Sequence, residues 1–194
     1  MELIKIPYKQ VNDILIKFAP DKELLVIAKE YAAPLAFINQ LNTLARHTDL
    51  VLFLAHALPV RESVWWACCC SQLIHSWQDN EHKALQAAQM WVRYGDEKCR
   101  QLAGNAVTSS GLDTGAGWVA QAAFWSGGSM LDSTQPAVAP PQFLYAQAVA
   151  GAINLMVALS DNEQESSLYL PVIEIALDIA KGGNGTAAID QGRV

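Results

Sequence analysis

The sequence predicts an all-α, single-domain protein. Apolar residues recur at helical spacing through most of the chain, and the breaks fall at proline, glycine and Asp/Ser/Thr clusters, which usually mark helix ends. A length of 194 residues is near that of one domain and can bury a core without disulfides or metals. We expect a multi-helix bundle of about eight to nine helices over residues 1–183, with solenoid-like pairs as a possible arrangement, and a flexible tail over 184–194.

Four helices are predicted in the first third of the chain. Each starts near a proline or after a stretch that stops the preceding helix, and their approximate ranges are 7–18, 22–31, 34–46 and 48–58. Pro34 suits the first turn of the third helix, because the N–H that proline lacks has no partner in that turn. Thr48 or Asp49 can cap the fourth helix, which is strongly apolar.

The middle of the chain predicts a central helix from Arg61 to Trp77, restarted by Pro59. One line along this helix carries Val64, Cys68, Ser71 or Gln72 and His75, with the tryptophans beside it. Three further helices are expected before the double glycine Gly127-Gly128. They begin at Asp79 or Asn80, after the break Gly95-Asp96 where a short helix is expected, and at Asp113 or Thr114.

Residues 129–141 are rich in Pro, Ser and Ala and predict an extended loop lying over the helices. A broad apolar helix is expected over 142–159. Pro171 argues against one helix from 161 to 181, because an interior proline removes a hydrogen bond and clashes with the preceding turn. We expect a short turn there, followed by a helix from residue 170 or 171 to Lys181.

Composition excludes several classes of function. The formal charge of −6 comes from 13 basic and 19 acidic residues without a basic cluster, which argues against nucleic-acid binding. The start of the sequence lacks the pattern of a secretory signal, so we expect a cytoplasmic protein. The longest apolar run, 143–159, is interrupted by polar residues and is too short to span a bilayer, so it predicts a buried helix.

Three consecutive cysteines, Cys68 to Cys70, are the first candidates for chemistry. With His75 and His82 they suggest a zinc site, but adjacent helical residues point in three directions and the spacing does not suit such a site. Their apolar neighbours also disfavour a reactive thiolate. We therefore expect reduced, buried thiols and no metal.

No other segment predicts a catalytic centre. Residues 126–129, Ser-Gly-Gly-Ser, lack the strand-to-helix context of a nucleophile elbow and are better explained as a helix end that requires glycine. His56 lies in an apolar helix and is expected to be a core histidine. The sequence thus predicts no catalytic residues and no cofactor.

Tryptophan and arginine give the best indication of a contact surface. Arg61, next to Trp65 and Trp66, can stack on an indole or bind a partner's carboxylate, although a local salt bridge is the favoured role. Adjacent helical residues differ by about 100° in direction, so at least one of the two indoles should reach the edge of the core. The residues predicted to contact a partner are Arg61, Glu62, Trp65, Trp66, Trp125 and Ser126.

Four segments of the chain resemble a family of small bacterial proteins without assigned activity that are encoded beside type VI secretion genes and their PAAR-spike and effector neighbours. The first fifty or so residues show no such resemblance. The segments are Leu-Pro-Val-Arg-Glu-Ser-Val-Trp-Trp-Ala-Cys at 58–68, Ala-Gln-Met-Trp-Val at 88–92, Gly-Trp at 117–118 with Ala-Ala-Phe-Trp-Ser-Gly-Gly-Ser at 122–129, and Leu-Asp-Ile-Ala-Lys-Gly at 177–182.

This resemblance implies an accessory or adaptor protein of a type VI secretion system that binds an effector or a spike component in the cytosol. An immunity protein that neutralises a toxin encoded nearby is the main alternative, which the acidic charge and small size also suit. An enzyme with an unrecognised site is a third.

Overall fold

The computed structural model describes residues 2–73, 76–131, 135–160 and 165–186, without the side chains of 165–167. These residues form ten α-helices and one short 3₁₀ helix, with no strand among them, which confirms the all-α prediction. The bounds are α1 Val11–Leu15, α2 Lys22–Ala28, α3 Pro34–Thr43, α4 His47–Ala57, α5 Val60–Cys70, the 3₁₀ helix Ser71–Leu73, α6 Asp79–Tyr94, α7 Glu97–Ser110, α8 Gly115–Phe124, α9 Leu144–Ala158 and α10 Glu165–Ala180.

Local capping explains several of these boundaries. Pro34 occupies the first turn of α3 as predicted. Asp21 caps α2 by accepting the Leu24 N–H at 2.6 Å, and Asp96 caps α7 by accepting the Cys99 N–H at 2.7 Å. Gly95 ends α6 with a φ of +68°, which glycine adopts without strain.

The apolar helix α9 lies at the centre of the fold. It packs against α4, α5, α8 and α10, so helices distant in sequence share one core. The closest approach is to α8, where a Cβ on Gly115 would overlap Met156 and lie 2.9 Å from the Ala152 carbonyl oxygen. This arrangement is a bundle around one helix, and it does not have the nearest-neighbour contacts of a solenoid.

Several predicted elements differ in length from the structure, and the first helix, expected over 7–18, spans only Val11–Leu15. The central helix α5 ends at Cys70, and the 3₁₀ turn that follows it is joined to Trp77, whose indole N–H donates to the Ser71 carbonyl at 2.9 Å. The helix after Gly95-Asp96, expected to be short, runs for 14 residues because its buried face continues through Ala103 against α6 and α8.

Pro171 does not begin α10, contrary to the prediction, because the helix extends from Glu165 through the proline to Ala180. Contacts hold the helix on both sides of this residue. Before it, the Tyr169 hydroxyl donates to the Asn154 side-chain oxygen at 3.2 Å, and after it the Trp66 indole donates to the Val172 carbonyl at 2.8 Å. Tertiary packing thus compensates for the lost hydrogen bond.

The remaining predictions concern the loop, the tail and membranes. Residues 129–131 and 135–141 form no helix, as expected of the loop, and the Met130 N–H donates to the Val138 carbonyl at 2.8 Å. The flexible tail stays a prediction: residues 184–186 pack on the fold, and 187–194 lie outside the described residues. Within the described part of the chain, no helix is long and apolar enough to cross a membrane.

Candidate functional site

Three of the residues predicted to contact a partner line one groove. Arg61, Glu62 and Trp65 project from the first half of α5 into a groove of about 260 Å³. The other walls come from the N-terminal segment, the end of α6 and the end of α10, and their lining residues are Lys5, Val92, Ile179, Gly182 and Gly183. Four segments distant in sequence therefore build this surface.

Arg61 links α5 to the end of α6. Its Nε donates to the Val92 carbonyl at 3.0 Å and its Nη2 donates to the Arg93 carbonyl at 3.1 Å, so it caps the last turn of α6. The expected salt bridge is not found, because no carboxylate among the described residues lies within ion-pair distance of the guanidinium. Arg61 therefore brings a positive charge that is bonded to neutral carbonyls and exposed at the groove.

Glu62 has a partner that the sequence did not reveal. Its Oε1 accepts a hydrogen bond from Lys5 Nζ at 3.0 Å, and both side chains are partly exposed. The Lys5 backbone N–H also donates to the Ala180 carbonyl at 2.9 Å, which fixes the N-terminal segment beside the end of α10. The carboxylate of Glu62 is thereby neutralised, and the charge of Arg61 is not.

Trp65 is half-buried, and its indole Nε1 donates to the Asn184 carbonyl at 2.8 Å. The turn that carries Asn184 is fixed by Asp178, whose Oδ2 accepts the Gly185 N–H at 2.8 Å. A side chain at Gly183 would have to displace the Asp178 carboxylate that fixes this turn. The indole is thus held in place, with one face toward the groove.

Trp66 cannot contact a partner in this fold, which corrects its place among the predicted contacts. The residue is fully buried, and its indole N–H donates to the Val172 carbonyl of α10. The expectation that at least one of the two adjacent indoles reaches the core boundary is confirmed by Trp65.

Trp125 and Ser126 are half-buried at the end of α8 and do not line the groove. The Trp125 ring meets Trp118 edge-to-face, with centroids 6.3 Å apart. The double glycine that follows has a structural role: Gly128, at φ +64°, lies against the guanidinium of Arg100. This part of the distinctive Phe-Trp-Ser-Gly-Gly-Ser string is therefore explained by packing.

The cysteines lie in the core, as predicted. Cys68, Cys69 and Cys70 are buried, and burial raises the pKa of each thiol, that of Cys69 to about 12 with a further contribution from the Asp178 carboxylate. His82 is exposed on α6, and His75 lies outside the described residues. No cluster of metal-ligand side chains occurs in the part of the chain that the structure describes.

His56 is a buried core residue, as predicted, and the Phe18 ring lies tilted against it with the ring centroids 4.7 Å apart. Its Nδ1 lies 2.8 Å from the Leu52 carbonyl oxygen. Burial lowers the pKa of the imidazole to about 4, although the Leu52 contact opposes this shift, and nearby Lys17 lowers it further. The Lys17 amine donates to the His56 carbonyl at 2.9 Å and lies 3.3 Å from the centre of the Tyr8 ring.

Sequence reasoning did not identify Lys5 and Gly183 as part of the groove. Both lie in terminal segments without periodicity, and only the tertiary fold brings them to Arg61 and Trp65. The one local signal is the Gly182-Gly183 pair, and by itself this pair predicts only a helix end.

Comparison with known proteins gives a family and no activity. No curated protein and no solved structure matches the chain significantly. A family model does match residues 37–180, from α3 to the end of α10, and this range includes Arg61, Glu62 and Trp65. Since the match covers most of the chain, this protein belongs to DUF6931, a family of unknown function.

Proposed function

We propose that this protein is a non-enzymatic accessory protein that binds a partner protein through the groove at Arg61 and Trp65. The observation that carries this proposal is the exposed guanidinium of Arg61 beside a half-buried indole, with no carboxylate to pair with it among the described residues. Arginine and tryptophan are the residue types most enriched in the centres of protein interfaces.

The chemistry of the groove favours a partner segment that carries a carboxylate next to an apolar side chain. A carboxylate can pair with Arg61, because Glu62 is already occupied by Lys5. Apolar surface continues beside the groove at Ile4, which is 63% exposed and lies against Gly182.

The partner we propose is an effector or a spike component of a type VI secretion system, which the protein would load or stabilise in the cytoplasm. Support for this identity comes from the sequence resemblance described above.

Affinity purification from the native host, followed by mass spectrometry, tests the proposal. We expect the wild-type chain to enrich a secretion effector or spike component, and Arg61→Glu to lose it. Lys98→Glu makes the same change of charge at an exposed site on α7 and should retain it. Recovery of no secretion component would overturn the proposed role, and equal recovery by Arg61→Glu would overturn the proposed groove.

The acidic net charge of −6 also suits an immunity protein. Co-expression of the neighbouring toxin distinguishes the two functions, because only an immunity protein restores growth. Restored growth that survives Arg61→Glu would place toxin binding on another surface.

A further inference from the structure

A second concave site lies at the other end of α6. It is a cavity of about 390 Å³ between the first turn of α6, the start of α8 and the end of α9. Glu81 and Val92, which line the cavity and the groove respectively, are 11 residues apart on one helix and therefore about 16 Å apart along its axis. The cavity is thus independent of the proposed partner groove.

Glu81 contributes a buried carboxylate to this cavity. The residue is 9% exposed, and its Oε2 accepts the Gln78 N–H at 2.7 Å in a capping box at the start of α6. Its Oε1 has no hydrogen-bond partner among the described residues. No lysine, arginine or histidine is found among the described residues that line the cavity. A buried carboxylate with a free oxygen and no cation beside it favours a positively charged ligand.

Thr114 contributes an unpartnered hydroxyl to the same cavity. It precedes α8 at the position where threonine usually caps a helix, but its side chain accepts no helix N–H. The Oγ1 atom is buried and has no hydrogen-bond partner within the described structure. Because this atom has almost no accessible surface, a ligand in the cavity reaches the hydroxyl only when the Thr114 side chain rotates, and the hydroxyl then serves as an acceptor or as a donor.

The remaining walls are apolar. The Trp77 indole N–H donates to the Ser71 carbonyl, so only the aromatic ring of Trp77 is available to the cavity. Met156 and Leu159 from α9 add a thioether and an aliphatic side chain. An aromatic ring attracts a cation, and the two α9 side chains suit a hydrocarbon stem.

We propose that this cavity binds a primary ammonium group on a short apolar stem. The ammonium has three donors, which can reach Glu81 Oε1 and, once the Thr114 side chain rotates, its Oγ1, while the stem packs on Trp77 and Met156. Free aliphatic amines and the lysine side chain of another protein share this chemistry. A guanidinium is a poorer match, because its planar fork requires paired acceptors.

Nuclear magnetic resonance titration of the full chain tests the proposal. The probes are n-pentylamine, Nα-acetyl-lysine N-methylamide as a model of a lysine side chain, and 1-pentanol as a stem without charge. We expect one or both amines to cause saturable shifts of the Trp77 indole and the Gln78 amide, and 1-pentanol to bind at least about tenfold more weakly. Saturation by the lysine derivative alone assigns the site to a protein side chain, and saturation by pentylamine alone assigns it to a small amine.

Glu81→Gln provides the sharpest variant, because glutamine retains the capping box and removes only the charge. Its amine affinity should fall at least about tenfold. Asp79→Asn removes an acidic residue from the same turn of α6 that does not line the cavity, and its affinity should be unchanged. Thr114→Val should weaken binding without lowering the melting temperature, since its hydroxyl has no partner to lose, and it remains a test if Glu81→Gln does not fold.

Three results would overturn the proposal. They are the absence of saturable shifts with either amine, equal binding of 1-pentanol, and unchanged amine affinity in Glu81→Gln.

Discussion

The guanidinium of Arg100 lies directly under the backbone of Gly128. A Cβ built on Gly128 would be 2.7 Å from the Cζ, Nε and Nη2 atoms of Arg100. Arg100 is almost fully buried, donates to both carboxylate oxygens of Glu97 and donates to the Phe124 carbonyl at 2.7 Å. The end of α8 is thus joined to the first turn of α7 by one arginine that a glycine covers.

Gly128→Ala should destabilise the protein by about 2 kcal/mol or more, because alanine is strained at φ +64° and its Cβ displaces Arg100. Urea unfolding followed by circular dichroism measures this loss. Gly127→Ala is the matched control, since a Cβ there has no neighbour within 4 Å, and it should change stability by less than about 0.5 kcal/mol. Equal effects of the two substitutions would contradict the role assigned to Arg100.

The adjacent tryptophans of α5 should respond differently to the same substitution. Trp66→Phe leaves a cavity in the core and removes the hydrogen bond to the Val172 carbonyl, so it should cost about 2–3 kcal/mol. Trp65→Phe loses one hydrogen bond at a half-buried site and should cost about 1 kcal/mol or less. Chemical unfolding of both variants gives the comparison, and a larger loss for Trp65 would contradict the burial described.

The free energy of unfolding should decrease as the pH is lowered, because of His56. Its pKa is about 4 in the folded chain against 6.5 when unfolded, so the unfolded state binds more protons between these values. The neutral imidazole therefore contributes stability that is complete above pH 6.5 and is lost as pH falls toward 4, by up to about 3 kcal/mol. His56→Gln should remove this part of the pH dependence. An imidazole that titrates above pH 6 in nuclear magnetic resonance spectra would contradict the prediction.

The three thiols of α5 should resist modification in the folded protein. Their burial raises the pKa of each, so little thiolate forms at neutral pH. A thiol reagent such as dithionitrobenzoate should label Cys68, Cys69 and Cys70 only after unfolding in urea. Mass spectrometry identifies the labelled residues, and rapid labelling of Cys69 without denaturant would show that the turn over it opens.

The helical elements could be predicted because their signals are local. Pro34 in a first turn, Asp96 as a cap and Gly95 as a helix end each act within a few residues of the chain. The prediction from Pro171 was wrong because contacts with other helices keep the chain helical around it. Tyr169 bonds to α9, and Trp66 of α5 bonds to the Val172 carbonyl. Propensity is a weak guide wherever tertiary contacts hold a helix together.

The candidate groove was predicted only in part for the same reason. Arg61 and Trp65 could be selected by residue type, but the periodicity of α5 does not tell which of two adjacent indoles faces inward. That choice depends on Val172, which is 106 residues from Trp66. The Lys5–Glu62 pair spans 57 residues and the Trp65–Asn184 bond spans 119, and no local pattern encodes such distances.

The guanidinium of Arg61 caps the end of α6, and the same group is the one that we propose to pair with a partner carboxylate. A partner carboxylate that draws this group away leaves the Val92 and Arg93 carbonyls to water, so occupation of the groove would loosen the last turn of α6. The Gly95 N–H, which donates to the Trp91 carbonyl at 2.7 Å, would then exchange with deuterium faster in the complex than in the free protein. Partner binding at this groove would therefore speed up hydrogen exchange at the end of α6, whereas most interfaces slow the exchange of the amides that they cover.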